Sequence, residues 1–351
     1  MNETTSNQER FKNYLRKISS GEHTSRGLTR KESADALELI LREEPSPIQI
    51  GAFMIAHRIR RPEPQELAGM IDTYLNLGPK IYSGNQQPQP ICFGMPFDGR
   101  NRTSPIYPLT TLLLLDVKQP VILQGGGRCP VKHGVTTKEL FKALGLDLEN
   151  LHIKKVQEGF SENGFALIYQ PDHFPLAETL IKYREDLGKR PPIASMELIW
   201  SAHKGSHLII SGFVHPPTAD RHIKALQLLE EDDLILIQGL EGGVDISTSR
   251  KTKATTVKNN LKSTILINPI EYALNAKDIE FQTIKEWASQ SKEALEGHGP
   301  LYKGLIWNAG VYFWLAGITN DISEGIEIAK ASIHSGSAKK TLSKLIAWRD
   351  R

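Results

Sequence analysis

The sequence predicts an α/β fold, with a small N-terminal helical domain and a larger α/β domain whose mainly parallel central sheet is flanked by helices. Three observations carry this. Residues 11–75 show helical periodicity interrupted by proline turns, short β-prone runs alternate with helical segments beyond Pro88, and residues 322–348 are helical again. Strand and helix in alternation are the pattern of a parallel sheet covered on both faces. The expected division is residues 1–80 for the helical domain and 88–351 for the α/β domain.

Each element has a local reason. Thr29 with Glu32 three positions on reads as a capping box, and Ala36, Leu37, Leu39, Ile40 and Leu41 form the apolar face behind it. Glu44-Pro45-Ser46-Pro47 stops that helix, because proline removes a donor and constrains its predecessor. Ser46 caps the next helix, Ile48 to Ile59, which places Ile50, Phe53, Met54 and His57 on one side. Pro62 and Pro64 break the chain again before Leu67 to Leu75. Strands are expected at 90–94, 120–123, 165–169, 207–213 and 234–237. The helices between them are expected at 108–116, 137–144, 176–187 and 218–229.

Composition excludes several classes. The 43 basic and 40 acidic residues leave a net charge of +3, too weak an excess to announce nucleic-acid binding. Two cysteines, Cys92 and Cys129, make neither a disulfide framework nor a zinc cluster. Met1–Arg16 is polar and charged, without the apolar stretch of a signal peptide. Leu109–Leu115, the most apolar run, is far too short to span a bilayer. A soluble cytoplasmic protein with no membrane contact is expected.

Ligands of open α/β sheets sit beyond the carboxyl ends of strands, and three glycine-bearing loops fall there. In Gly94–Pro105, Gly94 and Gly99 permit close backbone approach and Arg100 and Arg102 add charge. The helix starting near Pro108 would aim its positive end into the same space. That loop suits phosphate, or is a surface turn with solvated arginines. Gln124–Gly134 holds Gly125, Gly126 and Arg128, with Lys132 and His133 beyond; an anion site and a flexible turn both fit it. In Gly239–Asp245 the carboxylates of Glu241 and Asp245 suit a hard cation such as magnesium, or are solvated. His215, before Pro216-Pro217, and His133 are the histidines placed for acid–base work, although such histidines more often hydrogen-bond a turn. Trp307, Tyr312, Phe313 and Trp314 read as core. Arg58, Arg60 and Arg61, and the cluster Arg250-Lys251-Thr252-Lys253, read as solvated faces, with phosphate-backbone contact as the minority reading.

Taken in order, these features resemble the anthranilate phosphoribosyltransferase family along nearly the whole chain. Pro47-Ile48-Gln49-Ile50-Gly51-Ala52-Phe53 and Ala56-His57-Arg58-Ile59-Arg60 are similar to that family's SPAQIGAFLMALRIRGET segment. Trp307-Asn308-Ala309-Gly310 and Ile322-Ser323-Glu324-Gly325-Ile326 resemble its LNAA stretch and the helix after it. The resemblance implies a diphosphate substrate held between the two domains, residues 176–200 returning to the helical domain, and a homodimer formed through that domain.

The resemblance also assigns roles. Gly94, Asp98, Gly99, Arg100, Arg102 and Thr103 would hold phosphate, faced by Gly125, Gly126 and Arg128. Asp245 would hold Mg2+, and Arg184 would meet the acceptor. The departures are as clear. GTGGDG has become Gly94-Met95-Pro96-Phe97-Asp98-Gly99, the stretch matching KHGNRS, Gln124–Cys129, keeps a glycine and an arginine but lacks the lysine-histidine pair, and the Asp-Glu metal pair is Asp245-Ile246. FNLLGPLLNP has become Ala194-Ser195-Met196-Glu197-Leu198-Ile199-Trp200. One lost transition-state donor costs on the order of 100-fold, so ordinary anthranilate transfer is not expected. The expectation is a glycosyltransferase acting on a phosphoribosyl diphosphate-type sugar phosphate, with an unassigned acceptor. The alternative is a non-catalytic nucleic-acid-binding protein on the same scaffold, as in a divergent branch that this chain also resembles.

Overall fold

The computed structural model describes residues 3–21, 23–83, 88–231 and 233–351. Four helices come first: α1 (Glu3–Ser19), α2 (Arg30–Leu41), α3 (Pro47–Arg60) and α4 (Pro64–Leu77). The expected capping box forms at Thr29, and the expected cap Ser46 forms one too, each accepting from the third residue of its helix. The face of α3 that is buried is Ile50, Phe53, Met54 and His57. α2 and α4 cross in backbone contact at Gly69, where any side chain would overlap the Arg30 carbonyl.

Glu66 ties this layer together. Fully buried, it accepts the Leu28 and Glu63 amides at 3.0 and 2.7 Å, lies 3.3 Å from His57 Nε2, and pairs with Arg60. Burial by itself raises its carboxyl, but His57 and Arg60 outweigh that and hold it down to about 2.

Beyond the helices run β1 (Ile81–Tyr82), β2 (Ile91–Gly94), α5 (Tyr107–Asp116), β3 (Val121–Gly125), α6 (Thr137–Ala143), α7 (Ile153–Asn163) and β4 (Phe165–Tyr169). Then follow α8 (Gln170–His173), α9 (Pro175–Glu178), α10 (Leu180–Leu187), α11 (Ile193–Met196), β5 (His203–Lys204), β6 (Leu208–Gly212) and α12 (Pro216–Gln227). The chain closes with β7 (Asp233–Ile237), β8 (Thr252–Lys258), β9 (Leu261–Ile267), α13 (Ile284–Leu295), α14 (Tyr302–Leu315), α15 (Ile322–His334) and α16 (Ser337–Arg349). The main sheet has the order β4-β3-β2-β6-β7-β8-β9. Its first five strands are parallel, and β2, β3, β4 and β6 are buried at every position, as continuous apolar runs require.

Differences from the sequence reading have local causes. The helix expected over 176–187 is two pieces, α9 and α10. The helical end is also two, because Gly336 takes a left-handed φ of 73° between α15 and α16. Residues 252–267, read only as a basic cluster at their start, form an antiparallel hairpin turned at Asn259-Asn260, both at positive φ. α10 packs against α3 and α11 against α4, so this middle segment lies on the helical layer. No helix among the described residues is long and apolar enough to cross a membrane.

Candidate functional site

The first two glycine loops are neighbours, and they are fastened to each other. Arg100 and Val135 exchange backbone hydrogen bonds at 3.2 and 2.8 Å, and the Gly134 amide donates to the Asp98 carbonyl at 3.0 Å. A Cβ at Gly134 would stand 2.5 Å from the Arg100 nitrogen, so this approach needs glycine. Between the turns, among Phe97, Gly99, Arg100, Gly125 and Gly126, about 10 Å³ remains, the room of one water.

Arginine and backbone amides do converge on an anion here. That anion is Glu241. Its carboxylate accepts the amides of Asn101, Arg102 and Thr103 at 3.4, 3.1 and 2.9 Å, and Arg100 Nε at 3.1 Å. Burial would raise the Glu241 carboxyl, yet Arg100, the Thr103 amide and Lys132 hold it at about 2. Glu241 sits at φ 54°, a left-handed conformation that costs a non-glycine residue strain. Stabilisation from Glu66 and Glu241 is present above their ordinary value of 4.5 and is lost as pH falls towards 2. The denaturant midpoint is therefore expected to fall across that window, and to fall less steeply in Glu66→Gln; a chemical denaturation series against pH checks it.

The same guanidinium meets the third loop. Arg100, only 1 % exposed, places Nη1 2.8 Å from Asp245 Oδ2, and the Ile106 amide donates to that oxygen at 2.9 Å. The positive end of α5 is thus directed at a carboxylate of the chain itself. Asp245 is completely buried, which pushes its carboxyl up despite Arg100. These residues do not fit magnesium. A hard cation needs several oxygen ligands; here Asp245 and Glu241 are both already engaged by Arg100, Ile246 is aliphatic, and no group of three or more His, Cys, Asp or Glu side chains gathers among the described residues.

The other expected site residues are spread around this core. Arg102 is exposed and offers its amide to Glu241, Thr103 bonds Arg100 and Glu241, and Arg128 is half-exposed and paired with Glu139 at 2.9 Å. Gly94 is pressed against the Leu198 carbonyl. Arg184 is buried and pairs with the equally buried Glu197. His133 is half-exposed, 3.8 Å from Glu185, and His215 is exposed at the start of α12.

A larger space opens beside them, between the helical layer and the carboxyl ends of the strands. This cleft of about 280 Å³ has an apolar wall, including Pro96, Phe97, Pro130 and Phe213, and a cationic one. Arg58, Arg61, Arg184, Arg190 and Arg221 line it, together with the carboxylates of Asp98 and Glu241. Arg190 pairs with Asp98, but among the described residues Arg58, Arg61 and Arg221 have no carboxylate partner. Burial, then the neighbouring charge of Arg61, lowers the pKa of Arg221. Arg61 itself sits at φ 66°. Two like charges facing one half-apolar space are relieved by an anion. Sequence reasoning had singled out Arg58 and Arg61, but missed Arg190 and Arg221. On a helix spaced like α12, Arg221 reads as an ordinary surface position.

Comparison with known proteins agrees with this architecture. Residues 12–78 match the glycosyl transferase family, helical bundle domain, and residues 121–339 match the glycosyl transferase family, a/b domain. An uncharacterized protein of Aquifex aeolicus is 25% identical over 303 residues, covering 85% of this chain and 91% of the relative. The anthranilate phosphoribosyltransferase of a Polaromonas species is 23% identical over 321 residues, 90% of this chain and 91% of the relative. Among solved structures, the Thermus thermophilus anthranilate phosphoribosyltransferase superposes with a TM-score of 0.78 at 21% identity, covering 96% of this chain and 99% of its own. The Saccharomyces cerevisiae enzyme in complex with PRPP and Mg gives 0.81 at 18% identity, covering 98% of each. The chain belongs to the glycosyl transferase family, on a scaffold of the anthranilate phosphoribosyltransferase type.

Proposed function

We propose that the interdomain cleft takes an anionic sugar phosphate of the phosphoribosyl diphosphate type, held by Arg58, Arg61 and Arg221, as the donor of a glycosyl transfer. The observation that carries this is three guanidiniums, without carboxylate partners among the described residues, facing one cleft. The Saccharomyces cerevisiae enzyme in complex with PRPP and Mg supports the substrate class. Departure of a diphosphate from a sugar carbon mainly requires charge to be neutralised, which arginines do without a metal. The apolar wall with Phe97 and Phe213 suits a flat acceptor or base, whose identity is open. A space of about 280 Å³ admits one phosphorylated sugar or nucleotide.

Isothermal titration with phosphoribosyl diphosphate tests the proposal. Arg221→Ala and Arg58→Ala are each expected to weaken binding by at least about tenfold, the worth of one charge-assisted hydrogen bond. No heat with the unmodified protein, or equal affinity in both variants, overturns it.

The same proposal includes a cytoplasmic homodimer. On α3, Ile48, Ala52, Ile55 and Ile59 form one stripe, with Ile48 85% and Ile59 77% exposed. Such a stripe on a helix is self-complementary to a second copy. Light scattering is expected to give twice the chain mass, and the chain mass alone for Ile48→Glu with Ile59→Glu.

A further inference from the structure

We infer that Ser195 is a specificity-determining residue of the cleft, its hydroxyl fixed from behind by His222 so that it donates a hydrogen bond to the anionic group of the ligand. The inference rests on the anion-binding reading above and deepens it. Ser195 lines the cleft together with Arg58, Arg61, Arg190 and Arg221. Its Oγ lies 2.8 Å from Nε2 of His222, which is fully buried behind the wall. Both Arg221 and His222 come from α12, so one helix supplies a guanidinium to the cleft and the imidazole that backs the hydroxyl.

The direction of that hydrogen bond decides what Ser195 can do. A neutral imidazole carries a single N–H. Nδ1 of His222 is buried without a partner among the described residues. A proton there would leave a buried donor orphaned, and orphaned buried N–H groups are the rare and costly kind. A proton on Nε2 is satisfied by Ser195 Oγ. His222 therefore donates and Ser195 accepts, and the hydroxyl keeps its own proton. Burial, with the neighbouring charge of Arg221, pushes the His222 ring down to about 3, so it stays neutral in ordinary buffers.

The serine proton has no other acceptor among the described residues. It faces a space whose cations already select an anion, and a phosphate oxygen supplies the lone pair that the hydroxyl needs. A cationic or purely donor ligand is disfavoured at the same point. Chain chemistry alone would not have revealed this, because Ser195 and His222 lie 27 residues apart on separate elements.

Titration of the metal-free protein with inorganic pyrophosphate and with phosphoribosyl diphosphate tests the assignment. Ser195→Ala is expected to weaken both by about tenfold, one hydrogen bond to a charged acceptor. Ser195→Thr, which keeps the hydroxyl, and His222→Gln, which keeps a buried donor, are expected to restore both to within about twofold. Thermal midpoints recorded alongside separate loss of binding from loss of fold. Unchanged affinity in Ser195→Ala, with Arg58→Ala and Arg221→Ala both impaired, overturns the Ser195 assignment and leaves the cleft standing. A loss confined to phosphoribosyl diphosphate also overturns it, by placing the hydroxyl against the sugar. Failure of the unmodified protein to bind either probe removes the cleft reading itself.

Discussion

Arg100→Met is expected to lower the free energy of unfolding by about 3–5 kcal/mol, the cost of stripping the cation from a buried ion pair. The arginine is 1 % exposed and is shared by two carboxylates, Asp245 at 2.8 Å and Glu241 at 3.1 Å. Methionine keeps most of the volume, so the loss reports charge and not a cavity. Glu241 retains Lys132 at 3.5 Å and its three backbone donors, whereas Asp245 retains only amide donation. Adding Asp245→Asn to Arg100→Met should therefore recover part of the deficit. Urea midpoints of the two variants check this. If Arg100 instead serves to hold a ligand phosphate, Arg100→Met leaves the midpoint in place and removes only binding.

Arg184→Met is the second large effect, again about 3–5 kcal/mol. Its guanidinium and the Glu197 carboxylate are each 1 % exposed and pair across the core between α10 and the segment after α11. Burial already pushes the Glu197 carboxyl up against the pull of Arg184. A raised carboxyl destabilises the fold at high pH, so the deficit of Arg184→Met should shrink as pH falls towards that raised value. The double variant Arg184→Met with Glu197→Leu should recover most of the stability, because removing both charges of a buried pair is often neutral or favourable. An acceptor-binding arginine would behave otherwise, with the single variant fully stable and the double no better.

Much of the scaffold was legible because its causes are local. Thr29, Glu32, Ser46 and Pro47 announce two helix starts by themselves, and the strands from Ile91 to Ile237 are apolar runs that a doubly covered sheet demands. The hairpin of β8 and β9 was not legible. As the edge of the sheet, β9 is exposed at most positions, and its Lys262, Ser263 and Thr264 carry no apolar run. In the site, Gly94 and Gly99 do sit where backbone approaches closely, whereas an added Cβ at Gly125, Gly126 or Gly127 would meet no atom nearer than 3.5 Å. What fills those turns depends on Glu241, about 140 residues away from the amides it accepts, and no spacing rule connects them. Arg190 and Arg221 were missed for the same reason. Their neighbours are set by tertiary packing, and in sequence each is one more basic residue.

The proposal that arginines hold the anion, with Asp245 engaged by Arg100, is most directly tested by titrating phosphoribosyl diphosphate in EDTA and again in magnesium. The expected result is binding at least as tight without the metal, and a loss of about 100-fold when Arg58 and Arg221 are both replaced by alanine. Binding that requires magnesium and ignores those two arginines would contradict it.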